Sequence, residues 1–107
     1  MKLNVSERFA ALKILPKETD FVTLKIVRQL QDELALSEKE LKEFEVETVQ
    51  QGQYIQTKWN EKGNKEVEIK IGEKATDVII DALKELDKQK KLTTEHLTLY
   101  EKFVEKA

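Results

Sequence analysis

The stretch Lys65–Leu92, K-E-V-E-I-K-I-G-E-K-A-T-D-V-I-I-D-A-L-K-E-L-D-K-Q-K-K-L, changes its hydrophobic period at a single glycine. Before Gly72 the alternation is strict. Val67, Ile69 and Ile71 point one way and Glu66, Glu68 and Lys70 the other, as in a strand with one dry face. After Gly72 the period becomes 3.6, and Ala75, Ile79, Ala82, Leu83 and Leu86 share one stripe of a helix, with Val78 at its margin. A strand and a helix that each own a single apolar face can bury those faces against each other. This juncture predicts an α+β fold.

Moving toward the N-terminus, Asn60-Glu61-Lys62-Gly63-Asn64 reads as a five-residue hairpin loop feeding that strand. The run Tyr54–Trp59 alternates again, with Ile55, Thr57 and Trp59 on one face and Tyr54, Gln56 and Lys58 on the other. Phe44, Val46 and Thr48 alternate with Glu45, Glu47 and Val49, and Gln51-Gly52 supplies a turn. Connections this short predict a three-stranded antiparallel meander, since a parallel crossover needs a longer link.

Three helices precede the meander. Asn4 with Glu7 fits a capping box, Ser6 being a competing cap, and Pro16 ends a helix over roughly Val5 to Leu15. Thr19 or Asp20 caps a second helix carrying Leu24, Val27, Leu30 and Leu34 on its face. Ser37-Glu38-Lys39-Glu40 is a capping box opening a short third helix that should bury Leu41 and Phe44. Beyond that long helix, Thr93 or Thr94 caps a final one. Its expected stripe is Leu97, Tyr100 and Val104, with His96 and Phe103 at the margins. The expected architecture is thus one domain over residues 1–107: two N-terminal helices and a short third, the meander, and two C-terminal helices packed on one sheet face.

Composition bounds the function. The 107 residues hold 19 Lys and Arg against 21 Asp and Glu, a net charge of -2 with both signs interspersed. That balance argues against a nucleic-acid binder, which needs a basic stripe, and against an acidic mimic of DNA. Without cysteine there is neither a disulfide framework nor a thiolate metal site. The start M-K-L-N-V-S-E-R lacks the apolar core of a signal peptide, and no apolar run approaches the ~20 residues of a membrane span. The expected location is the cytoplasm.

No motif carries chemistry. His96 is the single histidine, and neither H-x-x-x-H nor H-E-x-x-H occurs, so no metal site and no cofactor are expected. Asp77, Asp81 and Glu85 line one flank of the long helix, but Lys74, Lys84 and Lys88 on the same helix balance them. Neither phosphate-binding glycine pattern is present, and Ser6 and Ser37 read as helix caps rather than nucleophiles. No catalytic residue is assigned, and the expected protein is not an enzyme.

Three residues stand out as partner contacts. Tyr54 faces outward from the middle strand beside Gln56 and Lys58, while Trp59 on the other face reads as core. Ile80 falls roughly 120° from the stripe of its helix, at about 100° per residue, and Leu99 lies opposite Leu97 and Val104. An apolar residue outside its stripe must be covered by another part of the chain or by another molecule.

The segments I-L-P-K-E-T-D-F-V-T-L-K-I-V-R, W-N-E-K-G, I-G-E-K-A-T-D-V-I-I-D-A-L and L-T-T-E-H-L-T-L-Y-E-K-F-V give the chain an overall pattern. It resembles the small accessory open reading frames of bacteriophages and prophages. That resemblance implies a protein that works by binding, inhibiting or redirecting a host protein in the host cytoplasm. It supplies no site residue. Protein partners, including copies of the chain itself, are the expected class. A nucleic-acid-associated phage protein and a small enzyme with an unrecognised acid/base site are the alternatives.

Overall fold

Asn4 opens the first helix as its spacing with Glu7 predicts. Its Oδ1 accepts the Glu7 N–H at 2.9 Å, and Glu7 Oε1 accepts the Asn4 N–H at 3.0 Å. The computed structural model describes residues 1–105. Strand β1 (Lys2–Leu3) leads into helix α1 (Val5–Ile14), followed by α2 (Phe21–Leu34) and α3 (Glu38–Glu43). Strands β2 (Glu47–Gln51) and β3 (Tyr54–Lys58) come next, then a 3-10 turn over Glu61–Asn64 and strand β4 (Val67–Glu68). Helix α4 (Glu73–Lys88) and helix α5 (Thr94–Tyr100) follow, and α5 runs on into a π-helical turn over Glu101–Glu105. Asp20, not Thr19, caps α2 by accepting the Thr23 N–H at 2.8 Å.

The chain is α+β, but its strands form two small antiparallel sheets in place of the expected meander. β2 pairs with β3, whereas β4 pairs with β1, placing Lys2 opposite Glu68 and Leu3 opposite Val67. The cause lies in the segment read as a hairpin loop. Asn60 Oδ1 accepts the Lys62 N–H at 3.0 Å and starts the 3-10 turn. Gly63 is packed so closely there that an added Cβ would lie 2.5 Å from Trp59 Cδ1 and 3.1 Å from Val5 Cγ2. The chain is thereby drawn toward α1 and the N-terminus, away from β3. The alternation itself reads as expected: Ile69 is buried, Val67 and Ile71 half-buried, and Glu66, Glu68 and Lys70 exposed.

The core gathers the apolar faces of α1, α2, α4 and α5 with Leu3 and Ile69. Leu3, Leu30, Leu34, Ile79, Leu83 and Leu99 are fully buried, each contributing about 1.5–3 kcal/mol. The C-terminal helices pack into this helical body and not on the face of a meander. Leu41, expected inside, is 40% exposed, and Leu24 is 41% exposed, whereas Phe44, Val27, Leu30 and Leu34 are buried as expected. Among the described residues no helix is long and apolar enough to cross a membrane.

Charged side chains tie the helices together. Arg8 is buried, donating from Nε to Leu34 O (3.0 Å) and from Nη2 to Ala35 O (2.7 Å), so it satisfies the carbonyls at the end of α2. Its guanidinium also grips Glu40 of α3, Nη1 to Oε2 at 2.7 Å and Nη2 to Oε1 at 3.3 Å. That hydrogen bond, more than any other cause, holds the Glu40 carboxyl below its ordinary value. Lys102, in the π-helical turn, binds Glu7 Oε1 (2.8 Å), Lys2 O (2.9 Å) and Glu66. Desolvation alone would lower its pKa, but the hydrogen bonds to Glu66 and Glu7 outweigh it and push the ammonium up.

Candidate interaction surface

The β2–β3 hairpin is the part of the chain least used by the fold. Its two-residue connection, Gly52-Gln53, begins at a glycine with φ 62, a left-handed conformation that glycine adopts without Cβ strain. The strands pack on each other and stand clear of the helices as a two-stranded ribbon. At its base Asn60 donates its N–H to Phe44 O (2.8 Å) and its Nδ2 to Glu43 O (3.0 Å). Trp59 lies against Phe9 there, ring centroids 5.6 Å apart, but it is half-buried and stands outside the core in which its strand pattern placed it.

Tyr54 stands at the far end of the ribbon, 81% exposed, on the outward face its alternation assigned. Ile55 beside it is 71% exposed, although the strand pattern placed it inside. The face is right, but no helix packs over the ribbon so far out to cover it. Between this face and the body lies a cleft of about 290 Å³, walled by Ile55, Thr57 and Trp59 on one side and Ser6, Phe9 and Glu95 on the other.

The other two singled-out residues are placed differently. Leu99 is fully buried, and with Phe103 it forms the inward face of the last helix. The expected stripe was mis-phased, and Leu97 is instead 58% exposed. Leu99 is therefore core and not a partner contact. Ile80 is half-buried, packs on the core and lines a pocket of about 540 Å³ with Phe103, Thr76, Lys102 and Met1. The structure does not bring Ile80, Leu99 and Tyr54 to one surface.

A second groove of about 580 Å³ joins α1, α2, α4 and α5, with Ile14, Val78 and Leu86 inside it and His96, Asp81 and Glu85 along it. His96 Nδ1 accepts the Thr93 N–H at 3.0 Å, a cap for α5. Asp81 and Glu85 are exposed, and Glu85 accepts from Gln89 at 2.8 Å. Near this groove's Thr19 and Thr23 in sequence, Phe21 and Val22 are 64% and 66% exposed, with Lys25 Nζ 4.8 Å from the Phe21 ring centroid. Sequence reasoning passed over both, although an apolar pair directly after the Asp20 cap, ahead of the Val27–Leu34 stripe, was a readable signal. Among the described residues no three His, Cys, Asp or Glu side chains gather as metal ligands.

No known protein family, curated protein or solved structure matches this chain.

Proposed function

We propose that this chain is a non-enzymatic accessory protein of the phage type that acts by binding another protein, a host protein in the first instance, with the β2–β3 ribbon as its gripping arm. One observation carries the reading. Tyr54 and Ile55, consecutive in the strand and therefore on opposite faces of the ribbon, stand at the end of an arm that the fold does not otherwise use, the most exposed large apolar side chains in the described chain. Tyrosine is enriched among the residues that dominate binding energy, because it adds large apolar area at low conformational cost. The chain's net charge of -2 supports a protein surface over a nucleic acid as its target.

The test is comparative capture from host lysate, followed by reconstitution with the purified partner. Wild type should retain the partner, and Tyr54→Ala with Ile55→Ser should weaken binding about 30-fold, the equivalent of roughly 2 kcal/mol at a dominant contact. Both positions are exposed, so the variant should keep its circular dichroism spectrum. Equal capture by wild type and variant would overturn the reading.

A further inference from the structure

The ribbon's register determines which of its backbone groups remain unpaired. A two-residue connection makes Gln51 and Tyr54 a hydrogen-bonded pair, and in an antiparallel ladder such pairs alternate with non-bonded ones. Val49 with Gln56 and Glu47 with Lys58 are then also bonded pairs. Thr48 and Gln50 of β2, and Ile55 and Thr57 of β3, turn their N–H and C=O groups away from the ribbon. β3 lines the cleft with Ser6, Phe9 and Glu95 of the body, and β2 contributes no residue to it. The β2 edge is the one turned away from β3. Between Glu47 and Gln51 it carries no proline, lysine or positive-φ residue, and its one charged residue, Glu47, sits at the strand end, so the middle of the edge is free of the devices that ordinarily keep an edge from pairing.

From this we infer that β2 pairs with β2 of a second copy of the chain, antiparallel and about a two-fold axis at Val49. Thr48 of each copy then exchanges both backbone hydrogen bonds with Gln50 of the other. Strand length selects this register: an axis at Val49, the middle residue, pairs all five residues of Glu47–Gln51 with those of the second copy, and it keeps the two Glu47 carboxylates apart, whereas an axis at Glu47 would set them against each other. An isolated two-stranded hairpin is marginal in water, and the pairing turns two ribbons into one four-stranded sheet. The joint is narrow, well below the ~1,200–2,000 Å² of a stable complex, so the dimer forms and dissociates with concentration. The inference uses the same ribbon as the proposed partner surface but not its end, and Tyr54 takes no part in it.

Light scattering on the pure protein from micromolar to millimolar concentration tests it, with amide exchange measured at both extremes. The mass should rise toward that of a dimer, and exchange at Thr48 and Gln50 should slow about tenfold or more, about 1.4 kcal/mol of added protection. Thr48→Lys with Gln50→Lys in one chain opposes like charges twice across the joint, as does Thr48→Glu with Gln50→Glu. Each of these variants alone should stay monomeric, and their mixture should form the dimer. Both positions are exposed, so neither variant should lose its fold. A monomeric mass throughout with unchanged exchange, or a dimer that survives in both charge variants, would overturn the inference. Tyr54→Ala should leave the dimer intact, so loss of partner capture and loss of self-pairing are read separately.

Discussion

Removing the guanidinium of Arg8 should be among the most damaging single changes in the chain. Arg8→Ala strips the Leu34 carbonyl of its partner in the interior, at about 1–3 kcal/mol for a buried acceptor left unmade. The Ala35 carbonyl and the Glu40 carboxylate are partly wet and recover some hydration, and Glu40 keeps the Ser37 N–H at 3.0 Å. Together with the packing of the aliphatic stem, the loss should reach about 3–5 kcal/mol, the range for breaking a buried pair. That is a large part of a domain's ~5–15 kcal/mol. Urea unfolding followed by Trp59 fluorescence and helical circular dichroism would measure it. Arg8→Lys keeps the charge but cannot reproduce the fork, so it should recover only part of the loss. Glu40→Gln leaves both α2 carbonyls satisfied and should cost less than Arg8→Ala. Acidification adds an independent check. Because the Glu40 carboxyl is depressed in the folded state, its contribution is fully present above the ordinary value of about 4.3 and fades as pH falls through the lower folded value. The stability gap between wild type and Glu40→Gln should therefore narrow in strong acid and stay constant near neutrality. A loss under about 1 kcal/mol for Arg8→Ala, or a cost for Glu40→Gln at least as large, would refute the reasoning.

Lys90→Gly should stabilise the chain by about 0.5–1 kcal/mol, since Lys90 sits at φ 58 where α4 ends, with Lys91 N–H on Leu86 O and Lys90 N–H on Asp87 O, a geometry that favours glycine; a lowered thermal midpoint would count against it. Gly63→Ala should destabilise by about 1–3 kcal/mol and shift the emission of Trp59, the single tryptophan, because the new methyl meets its ring; an unchanged spectrum would show that the ring moves freely. Lys102→Met leaves the buried Glu7 carboxylate without its cation and should cost about 1–3 kcal/mol at neutral pH, below the range for a fully buried pair because the ammonium is partly solvated. With the Lys102 pKa raised in the folded state, that contribution is full below about 10.4 and is lost only as pH rises through the higher folded value, so wild type and variant should converge only in strong alkali.

What the sequence made legible was local. The capping boxes at Asn4 and Ser37, the stop at Pro16 and the change of period at Gly72 all depend on residues within a turn of one another, and each appears where it was expected. The pairing of β4 was not legible, because it hinges on Gly63 fitting under Trp59 and Val5, a contact between segments with no shared periodicity. The last helix failed for another reason: 97/100/104 and 99/103 are both permissible helical stripes, and only the surrounding core decides between them. The exposure of Tyr54 was legible because its strand alternates cleanly. That of Ile55 was not, because alternation assigns a residue to a face and leaves open whether a helix packs on that face.

The pairing of β1 with β4, and the reach of Lys102 to Lys2 O across 100 residues, bear on the order of assembly during synthesis. The β2–β3 ribbon can form as soon as its own residues leave the ribosome, since its contacts are local. Leu3, fully buried in the finished fold, has no strand to pair with until Val67 has been made, and Glu7 meets no cation until Lys102 follows. Chains stalled before Val67 therefore expose the Leu3 side chain and a carboxylate that the complete domain hides. Closing such distant segments lowers the folding rate below what helix content alone would suggest. The nascent chain is thus exposed to misassociation through the segment around Leu3 and Glu7, long after that segment has been translated.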